Sequence, residues 1–285
     1  MNRTAIHRLL RLATTGLCVA MASLLAACST PVVRSSADIR AQGYNTQGLD
    51  RLKAGNLPQA LALFKQALAV GQSIEDDDAI ASTRLNLAMV YIGMGSQDEA
   101  LKQFDMVLDE RRLAFSQERR AEAALRRAMA LQASDRMAAD QSLDRAATLC
   151  GTNCSLRAKI LNLKAYLALS AGSADDGLRL AKQAQSAAKD DPLETANSLR
   201  LQSSALIALK KPMAALPLLD QALRMDKAAG ASDKIYQDLM LLGQASADKP
   251  ELARDYWMRA QDVAVAAKNE AGVARSAKAL AASAP

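Results

Sequence analysis

The sequence predicts an all-α protein, a solenoid of about six helix hairpins closed by a C-terminal capping helix. Half of the 285 residues are hydrophobic, yet only 3% are aromatic, which is typical of helices packed closely through small side chains. Alternating runs of β-branched residues, which would indicate strands, are absent from the sequence. The strongest observation is an internal repeat, because one triplet of residues returns at nearly constant spacing.

The repeated triplet is a small residue, usually a larger apolar residue four positions later, and a small or apolar residue three positions after that. Its leading positions lie 40, 39, 38, 38 and 38 residues apart. A small residue lets two crossing helices approach closely, and the larger one fills the groove between hairpins. One hairpin cannot bury its apolar stripe alone, so each unit packs on the next. The triplets are Ala60, Phe64 and Ala67; Ala100, Phe104 and Val107; Ala139, Leu143 and Ala146; Gly177, Ala181 and Ala184; Ala215, Leu219 and Ala222; and Ala253, Trp257 and Ala260.

The second unit resembles the tetratricopeptide repeat. Leu87, Ala88 and Tyr91 fit the first helix of that repeat and Gly95 fits its turn. The resemblance covers residues 38–267 and is most specific in unit 2, good in units 1 and 6, and degenerate in units 3, 4 and 5. It implies a right-handed α-solenoid. Because the usual period is about 34 residues, we expect each helix to gain about half a turn, or the junctions between units to be longer.

Helix boundaries follow from capping residues. Asn56 and Asp191 precede helix-starting prolines, Ser96 with an acidic residue three positions later forms a capping-box pattern, and Asp248 marks the start in unit 6. Pro217 falls inside a predicted helix and should kink it or delay its start. The predicted helices are 38–54, 57–71, 75–94, 97–112, 115–132, 135–149, 154–171, 174–189, 192–210, 212–229, 232–246 and 249–267, with the cap at 269–282.

The start of the chain looks like a secretion signal. A head with three arginines and no acid precedes a short stretch of apolar and small residues, too short to span a membrane comfortably. Leu-Ala-Ala before Cys28 resembles the lipobox of bacterial lipoproteins. That resemblance implies cleavage after Ala27 and lipid, including palmitate, on Cys28. Ser29 in place of Asp favours sorting to the outer membrane, with the protein facing the periplasm.

These features divide the chain into four segments. They are a signal peptide at 1–27, a lipidated Cys28 with a flexible tether at 28–37, a solenoid at 38–267, and a capping helix and tail at 268–285. The net charge of +6 falls to +3 when the signal and its three arginines are removed. Such a small excess does not indicate a nucleic-acid partner.

The mature chain is not expected to be an enzyme. The single histidine, His7, lies in the signal, which removes the commonest general base and the commonest metal ligand. Paired carboxylates remain chemically possible, but the repeat pattern does not single out a pair. The sequence therefore indicates no catalytic residue, metal site or cofactor.

Two cysteines beside the junction of units 3 and 4 are the most distinctive local feature. Cys150 and Cys154 flank a Gly-Thr-Asn turn, and thiols this close in the periplasm favour a structural disulfide. A redox centre is the first alternative, although the spacing is not C-x-x-C. A metal site is the second, although no histidine is available to complete it.

Two charged clusters have a simple structural interpretation and a functional alternative. The acidic run 75–78 suits the first turn of a helix and lacks the ligand spacing of a calcium loop. Arginine pairs at 111–112, 119–120 and 126–127 alternate with glutamates, as on a solvated, salt-bridged face. The alternative for the arginines is a docking patch for an acidic partner or lipid headgroups.

The resemblance implies that partners bind a concave groove lined by the first helices. We therefore predict a scaffold lipoprotein that binds envelope proteins or peptides, in envelope, secretion or pilus-type assembly. The alternative is a carrier lipoprotein that delivers a peptide or glycan to an export machine. The predicted groove residues are Asn45, Leu85, Met89, Asn162, Tyr166, Asn197, Arg200, Ser204 and Asp238.

Overall fold

A computed structural model describes residues 35–152 and 154–283. Within these ranges the chain forms thirteen α-helices and no strand. The helices are α1 (Ser36–Lys53), α2 (Leu57–Ser73), α3 (Asp77–Gly93), α4 (Gln97–Leu108), α5 (Gln117–Leu131), α6 (Arg136–Cys150), α7 (Arg157–Ser170), α8 (Ala174–Ala187), α9 (Pro192–Ala208), α10 (Pro212–Ala228), α11 (Ser232–Ala245), α12 (Pro250–Ala266) and α13 (Glu270–Ala282).

The helices pack as six consecutive antiparallel hairpins, α1–α2 through α11–α12, and α13 packs on α12. Neighbouring odd-numbered helices also contact one another along much of the stack, as α1 contacts α3 and α9 contacts both α7 and α11. The odd-numbered helices therefore form one wall of the solenoid. This arrangement confirms the predicted fold class.

The repeated triplets form the buried spine of the stack. Every triplet residue is buried except Trp257, which is half-buried. Trp257 lies against Gly243, where a Cβ atom would come within 2.2 Å of the indole Nε1. Close helix approach through a small residue is therefore present here as the triplet pattern predicts, with the glycine on the first helix of the hairpin.

The hydrophobic core is divided along the solenoid. One large cluster runs from α3 to α7 and includes Phe104 and Leu143. A second runs from α9 to α13 and includes Leu219 and Leu242. Between them, α7, α8 and α9 share a small cluster built around Ala165. This division gives the chain two large cores joined by a thinner apolar contact.

The long period has two sources in different units. Helices α2, α3, α9 and α10 are extended, and the junctions beside them, 74–76 and 229–231, are short. Where α4 is short, the junction 109–116 is long. The prediction that α4 reaches residue 112 is wrong. The helix ends at Leu108 because the Arg120 guanidinium caps its last carbonyl groups. The guanidinium donates to the carbonyls of Val107 at 3.1 Å and Leu108 at 2.8 Å.

The predicted caps are correct in part. Asn56 accepts from the Gln59 amide, and Asp191 accepts from the amides that follow it. Ser96 makes no side-chain cap bond, so the predicted capping box is wrong there. Lys249, not Asp248, occupies the N-cap of α12. Pro217 lies inside α10 without delaying its start at Pro212, because the helix continues around the missing amide donor.

Lys210 occupies a turn position that other units fill with glycine. Its φ is 60°, and Gly55, Gly95 and Gly172 hold the same place, five residues before a triplet, with φ of 74°, 76° and 82°. A side chain in the left-handed region is strained. Lys210→Gly should therefore raise the free energy of unfolding by about 0.5–1 kcal/mol in urea titrations. Lys211→Gly, at a φ of −119°, is the control, and an equal gain there would contradict the argument.

Candidate functional site

The odd-numbered helices enclose a concave groove of about 1040 Å³. Its lining residues lie on α3, α5, α7, α9, α11 and α13 or directly beside them. The even-numbered helices contribute none of these lining residues. The groove therefore runs along the wall where the resemblance to the tetratricopeptide repeat predicts partner binding.

The structure brings six of the nine predicted groove residues to this groove and places three elsewhere. Asn45 lies on α1, where its side chain pairs with Asn86. Leu85 and Asp238 are 1% and 0% exposed, so neither offers surface to a partner. Asp238 instead accepts from Arg200 on α9. The six that line the groove are Met89, Asn162, Tyr166, Asn197, Arg200 and Ser204.

Neighbouring first helices are joined by polar side chains, and we call this set of contacts the inner-wall ladder. At least one contact occurs at each step from α1 to α13, counting Ser155 just before α7. Sequence reasoning assigned several of these polar groups to a partner, although they bond to the next helix. The contacts are Asn86 to Asn45 at 2.9 Å, Arg119 to Asp78 at 2.7 Å, Ser155 to Glu118, Asn162 to the Glu194 carbonyl at 3.1 Å, Arg200 to Asp238 at 2.7 Å, and Tyr236 to the Gly272 carbonyl at 3.0 Å.

Arg200 is the centre of a buried ionic cluster beneath the groove. Its Nε donates to Asp238 Oδ1 at 2.7 Å. Its terminal nitrogens donate to Asp226 (Nη2) and, at 3.3 Å, to Asn197 (Nη1). The cluster joins α9, α10 and α11, and both aspartates are buried. Asp226 was not predicted, because it lies on the second helix of its hairpin and is not part of the repeated triplet. One guanidinium faces two carboxylates, so the fully ionised cluster carries one excess negative charge.

Burial raises the pKa of Asp238 to about 7, although Arg200 opposes the rise. Asp226 adds to it, because a second carboxylate disfavours ionisation of the first. The second oxygen of Asp238, Oδ2, has no hydrogen-bond partner among the described residues. A proton on Asp238 would leave the cluster neutral.

Stability should therefore depend on pH through Asp238. Because the folded state holds the proton more tightly than the unfolded state, this contribution is full below about pH 4 and is lost as pH rises through about 7. The slope is at most about 1.4 kcal/mol per pH unit. Asp238→Asn should flatten urea stabilities measured between about pH 5 and about pH 8. Asp220→Asn, an exposed change on α10, should keep the wild-type profile, and an unchanged profile in Asp238→Asn would contradict the assignment.

The groove carries positive charge that no described acid pairs with directly. Lys159, Lys234 and Arg275 line it and form no salt bridge with the described residues, whereas Glu194 is bonded to Asn162. Burial lowers the pKa of Lys234 and the positive charge of Arg200 lowers it further, while the charges of Asp226, Glu194 and Asp233 oppose the shift. Lys159 lies on α7, whereas Lys234 and Arg275 lie on α11 and α13, so the α11–α13 end of the groove presents two cations without a salt-bridge partner among the described residues.

The other half presents apolar surface. Ile92, Met129 and Tyr166 are 36%, 50% and 49% exposed, and they lie on α3, α5 and α7. Met89 lies beside them in the groove. The groove therefore changes character along its length, from an apolar stripe to a cationic end.

The arginine pairs agree with the salt-bridged interpretation. Arg119 pairs with Asp78 and Glu122, Arg126 with Glu122, and Arg127 with Asp105. Arg111 and Arg112 are exposed in the junction 109–116. The acidic run supplies the N-cap of α3 through Asp76 and acids in its first turn. These charges hold the junction between units 2 and 3 in place.

Cys150 and Cys154 are bonded, with sulfurs 2.07 Å apart and Cα atoms 5.2 Å apart. The bond crosses the start of the junction 151–156, where it closes a short loop. Among residues 35–152 and 154–283, no group of three or more His, Cys, Asp or Glu side chains could hold a metal ion. The structure therefore contains the disulfide bond that the spacing favours.

Removing this disulfide should lower stability modestly. Closing so short a loop constrains the unfolded chain by about 2 kcal/mol in the chain-entropy model. Replacing Cys150 and Cys154 together by serine should therefore cost about that much in urea titrations. Dithiothreitol should lower the stability of the wild type to the same level and leave the double variant unchanged. A variant as stable as the oxidised protein would contradict this role.

The signal 1–27, lipidation of Cys28 and most of the tether, all predicted from the sequence, lie outside the described residues. The last two residues of the predicted tether, Ser36 and Ala37, are helical instead, because Ser35 caps α1. Within the described ranges, no helix has both the length and the hydropathy needed to cross a bilayer.

Comparison with known proteins supports the fold. Residues 40–109 match the family model of the tetratricopeptide repeat. The Cut9–Hcn1 hetero-tetramer of APC/C contains a chain 16% identical to this one, with a TM-score of 0.66, over 86% of this chain and 43% of that one. Apo RapI is 12% identical, with a TM-score of 0.62, over 85% of this chain and 70% of its own.

A tetratricopeptide repeat protein from Parabacteroides merdae ATCC 43184 is 16% identical, with a TM-score of 0.59, over 91% of this chain and 89% of its own. A search of curated protein sequences finds no significant match. The chain spans less than half of the Cut9–Hcn1 chain that it matches. The described part of this chain is therefore an α-solenoid of the tetratricopeptide type.

Proposed function

We propose that this protein is a periplasm-facing outer-membrane lipoprotein that binds other proteins in its concave groove, as a scaffold for envelope, secretion or pilus-type assembly. One observation carries the binding role. The groove of about 1040 Å³ keeps exposed apolar side chains, Ile92, Met129 and Tyr166, on the wall formed by the first helices. Exposed apolar surface in a concavity favours a binding site.

The fold comparisons support the same role. The Cut9–Hcn1 chain was solved as part of a hetero-tetramer, so this architecture does hold partner proteins in at least one relative in structure. NprR from B. thuringiensis, which has a TM-score of 0.58 to this chain, is a quorum sensor. Neither identifies the partner of this chain, because likeness at these identities extends to the fold alone.

The lipid anchor rests on the lipobox at Cys28. Residues 28–35, even fully extended, would reach at most about 3.5 Å each. Lipid on Cys28 would therefore hold the solenoid near the membrane by its first helix, α1, which begins at Ser36. The groove begins at α3, so its lining helices follow the anchored end of the chain.

Site-specific photocrosslinking in cells tests the binding role. Gln237 is exposed in the groove on α11, and Gln221 is exposed on α10 outside it. A photoreactive residue at Gln237 should give discrete protein adducts, and the same residue at Gln221 should not. Identical adducts from both positions, or none from Gln237, would remove the support for groove binding.

Labelling with palmitate tests the anchor. Wild-type protein should incorporate the label and fractionate with outer membranes, and Cys28→Ser should do neither. Label on the Cys28→Ser variant, or wild-type protein free of membranes, would contradict the lipoprotein assignment. This result is independent of the crosslinking result.

A further inference from the structure

We propose that the groove binds an amphipathic acidic peptide segment of a partner protein. The apolar side chains of the segment would lie on α3–α7 and its carboxylates would point toward α11–α13. This proposal rests on the proposed function, because it names the chemistry of the partner in the same groove. The two halves of the groove carry it separately.

The apolar half needs a partner with aliphatic or aromatic side chains. Met89, Ile92 and Met129 contribute flexible or branched side chains from α3 and α5, and Tyr166 adds a ring from α7. Methionine adapts its shape to different apolar surfaces. Four such groups along successive helices suit the side chains of an elongated segment better than one compact ligand.

The cationic half needs a partner with negative charge. The groove lining holds five cations, Arg126, Lys159, Arg200, Lys234 and Arg275, and two acids, Glu122 and Glu194. The acids are already engaged, as Glu122 pairs with Arg119 and Arg126 and Glu194 bonds to Asn162. Arg200 is held by its own two aspartates. Lys234 and Arg275, on α11 and α13, remain available to a carboxylate at this end, while Lys159 lies on α7.

Lys234 fixes the acidic end of the segment near α11. It is half-buried, which disfavours its charge, and Arg200 adds to that effect, whereas Asp226, Glu194 and Asp233 oppose it without forming a salt bridge to Lys234. A carboxylate beside Lys234 would offset that repulsion in a partly desolvated place, where a charge-assisted hydrogen bond is strong. Arg275 lines the same end of the groove from α13.

A peptide fits better than the other anionic macromolecules. Single-stranded nucleic acid would need a longer cationic track with several stacking rings, and Tyr166 is the exposed aromatic side chain of the groove. A bilayer surface is broad, whereas these cations lie inside a concavity between helices. An elongated segment with few carboxylates matches the two available cations at the α11–α13 end and the apolar stripe.

Selection from a random peptide display library on the full-length protein in detergent tests the proposal. The selected pool should be enriched in Asp and Glu next to Leu, Ile, Met or Phe. A pool without acidic enrichment, or a basic pool, would overturn this proposal and leave groove binding intact. Failure to select any peptide would remove both this proposal and the proposed function, so the two failures are distinguishable.

Charge variants then locate the site on the protein. The double variant Lys234→Gln, Arg275→Gln should bind the selected fluorescein-labelled peptides at least about tenfold more weakly. It should also show a smaller salt dependence of binding. Arg224→Gln with Lys227→Gln removes the same charge from exposed positions on α10 and should leave affinity unchanged. Equal effects of the two pairs would overturn the proposal. Displacement of the peptides by phosphatidylglycerol vesicles, and not by phosphatidylcholine vesicles, would assign the cations to lipid and overturn it too.

Discussion

Replacing Arg200 by methionine should lower the free energy of unfolding by about 3–5 kcal/mol. Arg200 is 5% exposed and is the direct ion-pair partner of Asp226 and Asp238. Methionine keeps the apolar stem and removes the guanidinium. Two carboxylates are then left buried without their cation, which costs far more than the intact ion pairs gain. Urea titration at neutral pH measures the loss.

The companion variant separates the lost cation from the lost packing. Adding Asp226→Asn and Asp238→Asn to Arg200→Met removes both buried charges, and most of the lost stability should return. The exposed pair Arg179 and Asp176 supplies a control, because Arg179→Met should cost less than about 1 kcal/mol. A loss below that level in Arg200→Met, or no recovery in the triple variant, would contradict the central role of the cluster.

Phe104→Ala should cost about 3–5 kcal/mol, because it removes a large side chain from a tightly packed interior. Phe104 is fully buried in the cluster that runs from α3 to α7. Its neighbours on two hairpins lose their contact together. Stability in a solenoid depends on neighbouring units, so the damage should spread unevenly along the chain.

Hydrogen exchange shows where that damage lies. Amides of α3 to α6 should exchange much faster in Phe104→Ala, whereas those of α11 and α12, in the second large cluster, should change little. Phe104→Leu, which keeps most of the volume, should cost less than about 1.5 kcal/mol. Uniform acceleration over all thirteen helices would show a single cooperative unit and contradict the divided core.

The fold could be predicted from the repeat because the repeated residues are the ones that make buried contacts between helices. Small residues at positions such as Ala60 and Ala139 are needed only where helices cross closely, so their spacing carries the hairpin register. Most of the predicted helix ends fall within about two residues of the observed ones. The end of α4 was missed because Arg120 binds its last carbonyls from a later helix, a contact without local sequence signal.

The groove was harder to predict, because a polar residue on a first helix faces either solvent or the next helix. Asn162 and Arg200 stand 38 residues apart, at the same place in their units, and both bond across to the following hairpin. Their shared position is a usable signal of a structural role. Lys234 and Arg275 were missed, since the repeat register that nominated groove residues did not extend to the start of α11 or to the capping helix.

The division of the core has a consequence for how recognition could change over time. The apolar stripe of the groove lies on helices of the first large cluster, and Lys234 lies on a helix of the second. Each half of the recognition surface is thus supported by its own interior. Substitutions that alter one half would leave the packing beneath the other intact. A lineage could retune the charge preference of the protein while keeping its apolar contact, or the reverse, without rebuilding the whole stack.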